Sequence, residues 1–160
     1  MRRWLALGAL ALASLGASPA LAQSVRYSRP YSGSFRPSAY FDHRGGGGCT
    51  DWACGGTCYD SHTGNDFAMP VGTRGLAAAS GRVVATYNGC ANYGYRGNPC
   101  GGRCGNYVSI QHSDGSRSTY CHMQLGSLRV SVGDSVSCGE RIGSSASSGR
   151  RSRSPSPDRA

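Results

Sequence analysis

No lysine occurs in this sequence; all 17 basic residues are arginine, against 8 acidic ones, for a formal charge of +9. That charge does not point to a nucleic-acid partner. Arg2 and Arg3 lie in a leading segment taken up below, and residues 150–160 hold four arginines against Asp158. What remains between them is only mildly basic, as a solvated surface is. A second absence is any Cys-x-x-Cys spacing among Cys49, Cys54, Cys58, Cys90, Cys100, Cys104, Cys121 and Cys138, which argues against a zinc ribbon. A third is helical periodicity, since no window of about ten residues carries a convincing apolar stripe. The links between strand-like segments are too short for helical crossovers, which favours antiparallel pairing. Beyond the first 22 residues no apolar run is long enough to span a bilayer.

What is present begins with an export signal. Arg2 and Arg3 precede "WLALGALALASLG", an apolar run too short for a membrane span, and Ala20-Leu21-Ala22 fits a small-x-small cleavage site. Residues 1–22 therefore read as a signal peptide. The mature chain is expected to be secreted, periplasmic or in the cell envelope, with no membrane attachment after cleavage. An even cysteine count in a small exported chain reads as disulfides. Connectivity does not follow from sequence; proximity suggests bridges within Cys49–Cys58, within Cys90–Cys104, and from Cys121 to Cys138. Residues 23–47 mix Arg, Ser, Pro and Tyr without periodicity and read as a flexible leader. Residues 48–149 read as one folded domain, and residues 150–160 as a disordered Arg/Ser/Pro tail.

"RVVATY", "YVSIQH", "RSTYCHM" and "LRVSV" are β-branched or aromatic-rich segments between glycine turns, so the class is all-β and antiparallel, with disulfide-braced loops. Asp114-Gly115 is a two-residue hairpin signal. A hairpin closed there sets Tyr107 opposite His122, Val108 opposite Cys121, and Ser109 opposite Tyr120. Side-chain alternation then gives a core face of Val108, Ile110, Thr119 and Cys121. The other face carries Tyr107, Ser109, Tyr120 and His122, and His112 points to the Val108 side.

The segment "SHTGNDFAMPVGT" sets His62 and Asp66 four positions apart in a polar, Gly-rich stretch. An imidazole and a carboxylate at this spacing can share a metal ion. Asp66 would equally serve to cap the turn at Met69–Gly72. This segment, "AAASGRVVATYN", "GNYVSIQHSDGSRSTYCHM" and "VSVGDSVSCGERIGSSASSG" occur in the order seen in lysostaphin-type (LytM-domain) zinc metallopeptidases, which the chain resembles over residues 58–149. The resemblance implies an antiparallel β-roll or sandwich with a groove, and hydrolysis of the peptide cross-links of bacterial peptidoglycan. It implies zinc as cofactor with His62 and Asp66 as ligands, and His122 as a catalytic histidine that is not a ligand. Tyr107, Ser109 and Tyr120 become candidates to line the substrate groove. The loop from Gly89 to Cys104 would brace its rim, and the protein is expected to act as a monomer.

The sequence departs from that pattern in one place. The family's third zinc ligand belongs to a His-x-His pair soon after the "GSSASSG" turn, and no histidine follows His122 here. The fold is accordingly expected to be incomplete at its C-terminal strand, and a shifted reading frame or premature end is the expectation for the tail. Function is expected to be that of a secreted zinc metalloendopeptidase on peptidoglycan peptides. The alternatives are a catalytically inactive relative that binds wall or regulates another wall hydrolase, and a disulfide-rich exported protein whose motifs are structural only.

Overall fold

The computed structural model describes residues 24–150, the side chain of Arg150 excepted. The expected signal peptide, and the expected tail from residue 151 on, lie outside the described residues.

Among the described residues ten short strands follow one another: β1 Pro37–Ala39, β2 Asp66–Phe67, β3 Arg74–Leu76, β4 Gly81–Tyr87, β5 Tyr93–Tyr95, β6 Asn106–Gln111, β7 Arg117–Met123, β8 Ser135–Val136, β9 Arg141–Ser144 and β10 Ser147–Arg150. A 3-10 turn, Cys100–Arg103, sits between β5 and β6. The main sheet has the order β7-β6-β4-β8, with every pair antiparallel. Strands β3 and β9 pair antiparallel beside it, as do β1 and β2. The all-β, antiparallel expectation therefore holds, with one exception: β10 runs parallel to β5. No helix among the described residues is long and apolar enough to cross a membrane.

Alternating apolar residues on β4, β6 and β7 build the core. Val83, Val108, Ile110, Met123, Val136 and Ile142 are buried against Ala77 and Val130, with Tyr120 and Leu128 packed on them. Burying such side chains stabilises by about 1.5–3 kcal/mol each.

Three expectations change. The first concerns residues 23–47, which are laid on the domain from Ser24 onward rather than extending free of it. Ser28 N donates to Ala78 O (2.7 Å), Leu76 N to Pro30 O (2.9 Å), and Val25 N to Asp114 Oδ2 (3.0 Å). Tyr31 is buried, packing on Phe35 and Phe67, and Ala39 is buried beside β2. The apolar side chains scattered through this segment have no period because they dock as single anchors.

The second change is the hairpin register. The loop is Ser113–Gly115: His112 N donates to Ser116 O (2.9 Å), and Gly115 takes a φ of +84°. This three-residue turn with a left-handed glycine shifts the pairing by one. Val108 now faces Tyr120, Ser109 faces Thr119 and Ile110 faces Ser118. At the base the register moves back, Asn106 facing Met123, so Cys121 and His122 together stand against Tyr107. That is a β-bulge on β7.

The third is the disulfide set. Cys49–Cys58 and Cys90–Cys100 fall within the expected intervals, but Cys121 pairs with Cys104. Cys138 follows β8, and Cys121 lies on β7, at the opposite edge of the four-stranded sheet. Three strand spacings, about 14 Å, separate those edges, well beyond disulfide reach. Cys138 and Cys54 are unpaired and exposed.

Candidate functional site

His62 is delivered by a loop organised around two buried carboxylates. Asp42 accepts from the backbone N–H of Arg44 (2.9 Å), Thr50 (3.1 Å) and Ser61 (2.9 Å). Asp51 accepts from Ala53, Gly55 and Thr57, all at 2.9 Å. These amide donors, Arg44's foremost for Asp42 and Gly55's for Asp51, hold both carboxyls below the usual range against the opposing effect of burial. The Cys49–Cys58 bridge closes the same loop. Asp42 N also donates to His62 O (2.8 Å), so the residue is tied on both sides. Ser61 turns the chain into it with a φ of +61°.

The His62 ring is 8% exposed, with the Asp66 side chain at 40%. The pair is therefore open to solvent from the carboxylate side only. Nδ1 lies 2.7 Å from Tyr40 O, and a carbonyl only accepts, so Nδ1 carries the proton. Nε2 faces Asp66 Oδ1 at 3.2 Å. A neutral imidazole has one N–H, already given to Tyr40. The Nε2–Asp66 approach thus sets a lone pair against a carboxylate, and a second proton or a cation between them makes it favourable. A backbone carbonyl on Nδ1 that frees Nε2 is the usual support of a metal-ligating histidine. By this test imidazole nitrogen and carboxylate oxygen fit a divalent cation as two of its ligands. Among the described residues no group of three or more His, Cys, Asp or Glu gathers to hold a metal. His122 is therefore not joined with His62 and Asp66 in such a group.

His122 lies on the bulge at the base of β7. Its φ is +57°, uncommon for a residue with a side chain. Its N–H donates to Cys104 O (2.8 Å), its carbonyl accepts from Ala146 N (2.8 Å), and Nδ1 donates to Ser148 O. Nε2 has no partner among the described residues and is left as the free nitrogen of the ring.

The groove candidates separate. Tyr107 is half-buried on the face away from the core and stacks on Tyr87 (6.3 Å between ring centres). Ser109 is buried, its hydroxyl 2.8 Å from that of Thr119, so it lines no open groove in this structure. Tyr120 is on the opposite side from that expected. It packs on the core, and its hydroxyl accepts from Ala78 N (2.7 Å) and Ser118 Oγ (3.0 Å). Burial pushes its phenol pKa up. The one-residue register shift is the cause, because it moves Tyr120 to the Val108 side.

Two participants were not singled out from sequence. Tyr59 stacks on His62 (ring centres 4.1 Å apart, planes at 24°) and donates its hydroxyl to Asp66 Oδ2 (3.1 Å). An aromatic residue one turn-length before His62 was the available signal. Tyr40 contributes a carbonyl, which any residue supplies, so no sequence signal existed.

Comparison with known proteins follows the same residues. The peptidoglycan DD-endopeptidase ShyA of Vibrio cholerae is 40% identical over 89 residues, 56% of this chain and 17% of that protein. Lysostaphin of Staphylococcus simulans is 36% identical over 88 residues, 55% of this chain and 15% of that protein. The chain thus spans less than a fifth of the length of either relative. A candidate M23 peptidase of Pseudomonas aeruginosa, known from its crystal structure, superposes with a TM-score of 0.51 at 25% identity, over 83% of this chain and 43% of that one. The profile of peptidase family M23 matches residues 60–157, a stretch that includes His62, Asp66 and His122. That match covers more than half of the sequence, and the chain belongs to peptidase family M23.

Proposed function

We propose that this protein is an exported hydrolase of peptide cross-links in bacterial peptidoglycan, with zinc as its metal. The observation that carries the reading is the convergence of His62 Nε2 and Asp66 Oδ1, 3.2 Å apart, at a site open on one side. The M23 membership and the peptidoglycan endopeptidase activity named for ShyA support it.

His62 and Asp66 would hold the ion. When bound, zinc supplies a Lewis acid that polarises a carbonyl and acidifies a water. The chain's own residues prepare for this. Tyr40 O fixes the His62 tautomer, and Tyr59 orients the Asp66 carboxylate through Oδ2. His122, with Nδ1–H given to Ser148 O, presents Nε2 as a proton acceptor of the kind general base catalysis uses.

A second reading has its own observation. No third ligand joins the pair among the described residues, and no histidine follows His122. A catalytic zinc site needs three protein ligands. On this reading the chain binds wall peptides, or regulates another wall hydrolase, without cutting.

One experiment separates them. The purified oxidised protein is assayed for bound metal and incubated with sacculi, and the released muropeptides are separated. Zinc near one equivalent, with cross-link cleavage lost in His62→Ala, supports the hydrolase. Sedimentation with sacculi, no cleavage and no effect of His62→Ala supports the binder. Neither zinc nor wall association defeats both.

A further inference from the structure

The bulge at the base of the β6–β7 hairpin decides which residue enters the core. Continued without interruption, the register of Val108–Tyr120 and Ile110–Ser118 would set His122 opposite Asn106 on the core side. One extra residue on β7 brings Met123 there instead, 3% exposed and part of the core cluster, and releases His122. Bulges re-aim side chains in this way and are over-represented at sheet edges and next to active sites.

Several contacts hold the extra residue. Cys121 is bonded to Cys104, immediately after the 3-10 turn Cys100–Arg103. The carbonyl of that same Cys104 takes the His122 N–H. Gly105 continues with a φ of +72°, and a Cβ there would stand 2.5 Å from Ser148. Ser148 is thereby pressed close enough for its carbonyl to meet His122 Nδ1, while its hydroxyl bonds Met123 O (2.7 Å) and accepts from Asn106 N (3.0 Å).

We infer that the Cys104–Cys121 disulfide is a positioning element: it pins the β7 bulge so that His122 keeps its left-handed backbone, its Nδ1–H on Ser148 O and its Nε2 free. A left-handed residue with a side chain is strained and persists only where its surroundings over-determine it. The bridge is the one covalent restraint adjoining that residue. The inference takes from the proposed function only the idea that His122 serves the site, and its test needs no activity.

The test follows the ring and the amide of His122 by NMR. In the oxidised protein the neutral ring shows the Nδ1–H tautomer, and the His122 amide exchanges within about tenfold of the Val108 and Ile110 amides. In Cys104→Ser/Cys121→Ser the ring becomes a mixture of tautomers, and exchange at His122 quickens by about a hundredfold while Val108 and Ile110 hold. Cys49→Ser/Cys58→Ser leaves the His122 ring as it was. An unchanged tautomer and unchanged exchange in the Cys104/Cys121 variant overturn the inference. So does fast exchange of the His122 amide in the intact oxidised protein, a measurement that stands even if the variant does not fold. A protein that binds wall without cutting it, yet shows the expected NMR changes, defeats the hydrolase reading and leaves this inference standing.

Discussion

The two ends of the β6–β7 hairpin hold two histidines in opposite circumstances. At the tip, His112 is 4% exposed, with Nδ1 on Ser80 O (2.9 Å) and Nε2 on Ser118 Oγ (2.9 Å). At the base, His122 has the same Nδ1-to-carbonyl arrangement but nothing on Nε2 among the described residues. The first ring is a satisfied core group. The second is held as firmly yet keeps one nitrogen for other work. The residue type is the same; a single extra residue on β7 makes the difference.

The strongest way to break this contrast is to disturb the base. Gly105→Val places a Cβ against Ser148 at 2.5 Å and forces a branched residue to a φ of +72°. Strain and overpacking together are expected to cost about 2–4 kcal/mol in denaturant unfolding. A loss under about 0.5 kcal/mol, the scale of an indifferent surface change, would show that the base is not built as tightly as the contacts imply.

The next effect compares the histidines directly. His112→Ala empties a buried ring position and removes its two hydrogen bonds, to Ser80 O and Ser118 Oγ, and about 1–3 kcal/mol of stability should go with them. Wall association should be unchanged. His122→Ala takes the donor from the carbonyl of fully buried Ser148, should cost about 1–3 kcal/mol as well, and should remove whatever cross-link cleavage the protein has. Cleavage lost equally in the two variants would erase the distinction.

The smallest effect sharpens the tip alone. Asp114 closes the hairpin turn, and its carboxyl pKa is lowered from 3.8 to about 2, chiefly by the Ser116 hydroxyl and then by the Val25 N–H. A depressed carboxyl contributes its full stabilisation above pH 3.8 and loses it as pH falls through about 2. The Val25 amide resonance should therefore titrate in that window and stay constant above it. A Val25 shift centred near 3.8 would mean that the carboxylate is not held by these donors.

Much of the molecule was legible in its order of residues. Strand alternation in "RVVATY" and "YVSIQH" marks β4 and β6, and the four-residue step from His62 to Asp66 brings the two side chains to 3.2 Å. Cys49 and Cys58 pair across a short loop, as proximity suggested. Elsewhere local cues misled. Asp114-Gly115 invites a two-residue turn, whereas the loop starts at Ser113, and that single step moved Tyr120 from the groove side to the core. The leader's Tyr31 carries no periodicity, yet it finds a slot against Phe67 that only the folded domain offers.

The sequence by itself determined the all-β class, the M23 motif order and the His62–Asp66 spacing, because these depend on residue type and short separations along the chain. The tertiary structure decided the disulfide partner of Cys121, the face of Tyr120, the docking of residues 24–43 and the exchange of His122 for Met123 in the core. Those outcomes rest on strand register and sheet order, where a one-residue difference reverses every side chain and only contacts distant in sequence select between the alternatives.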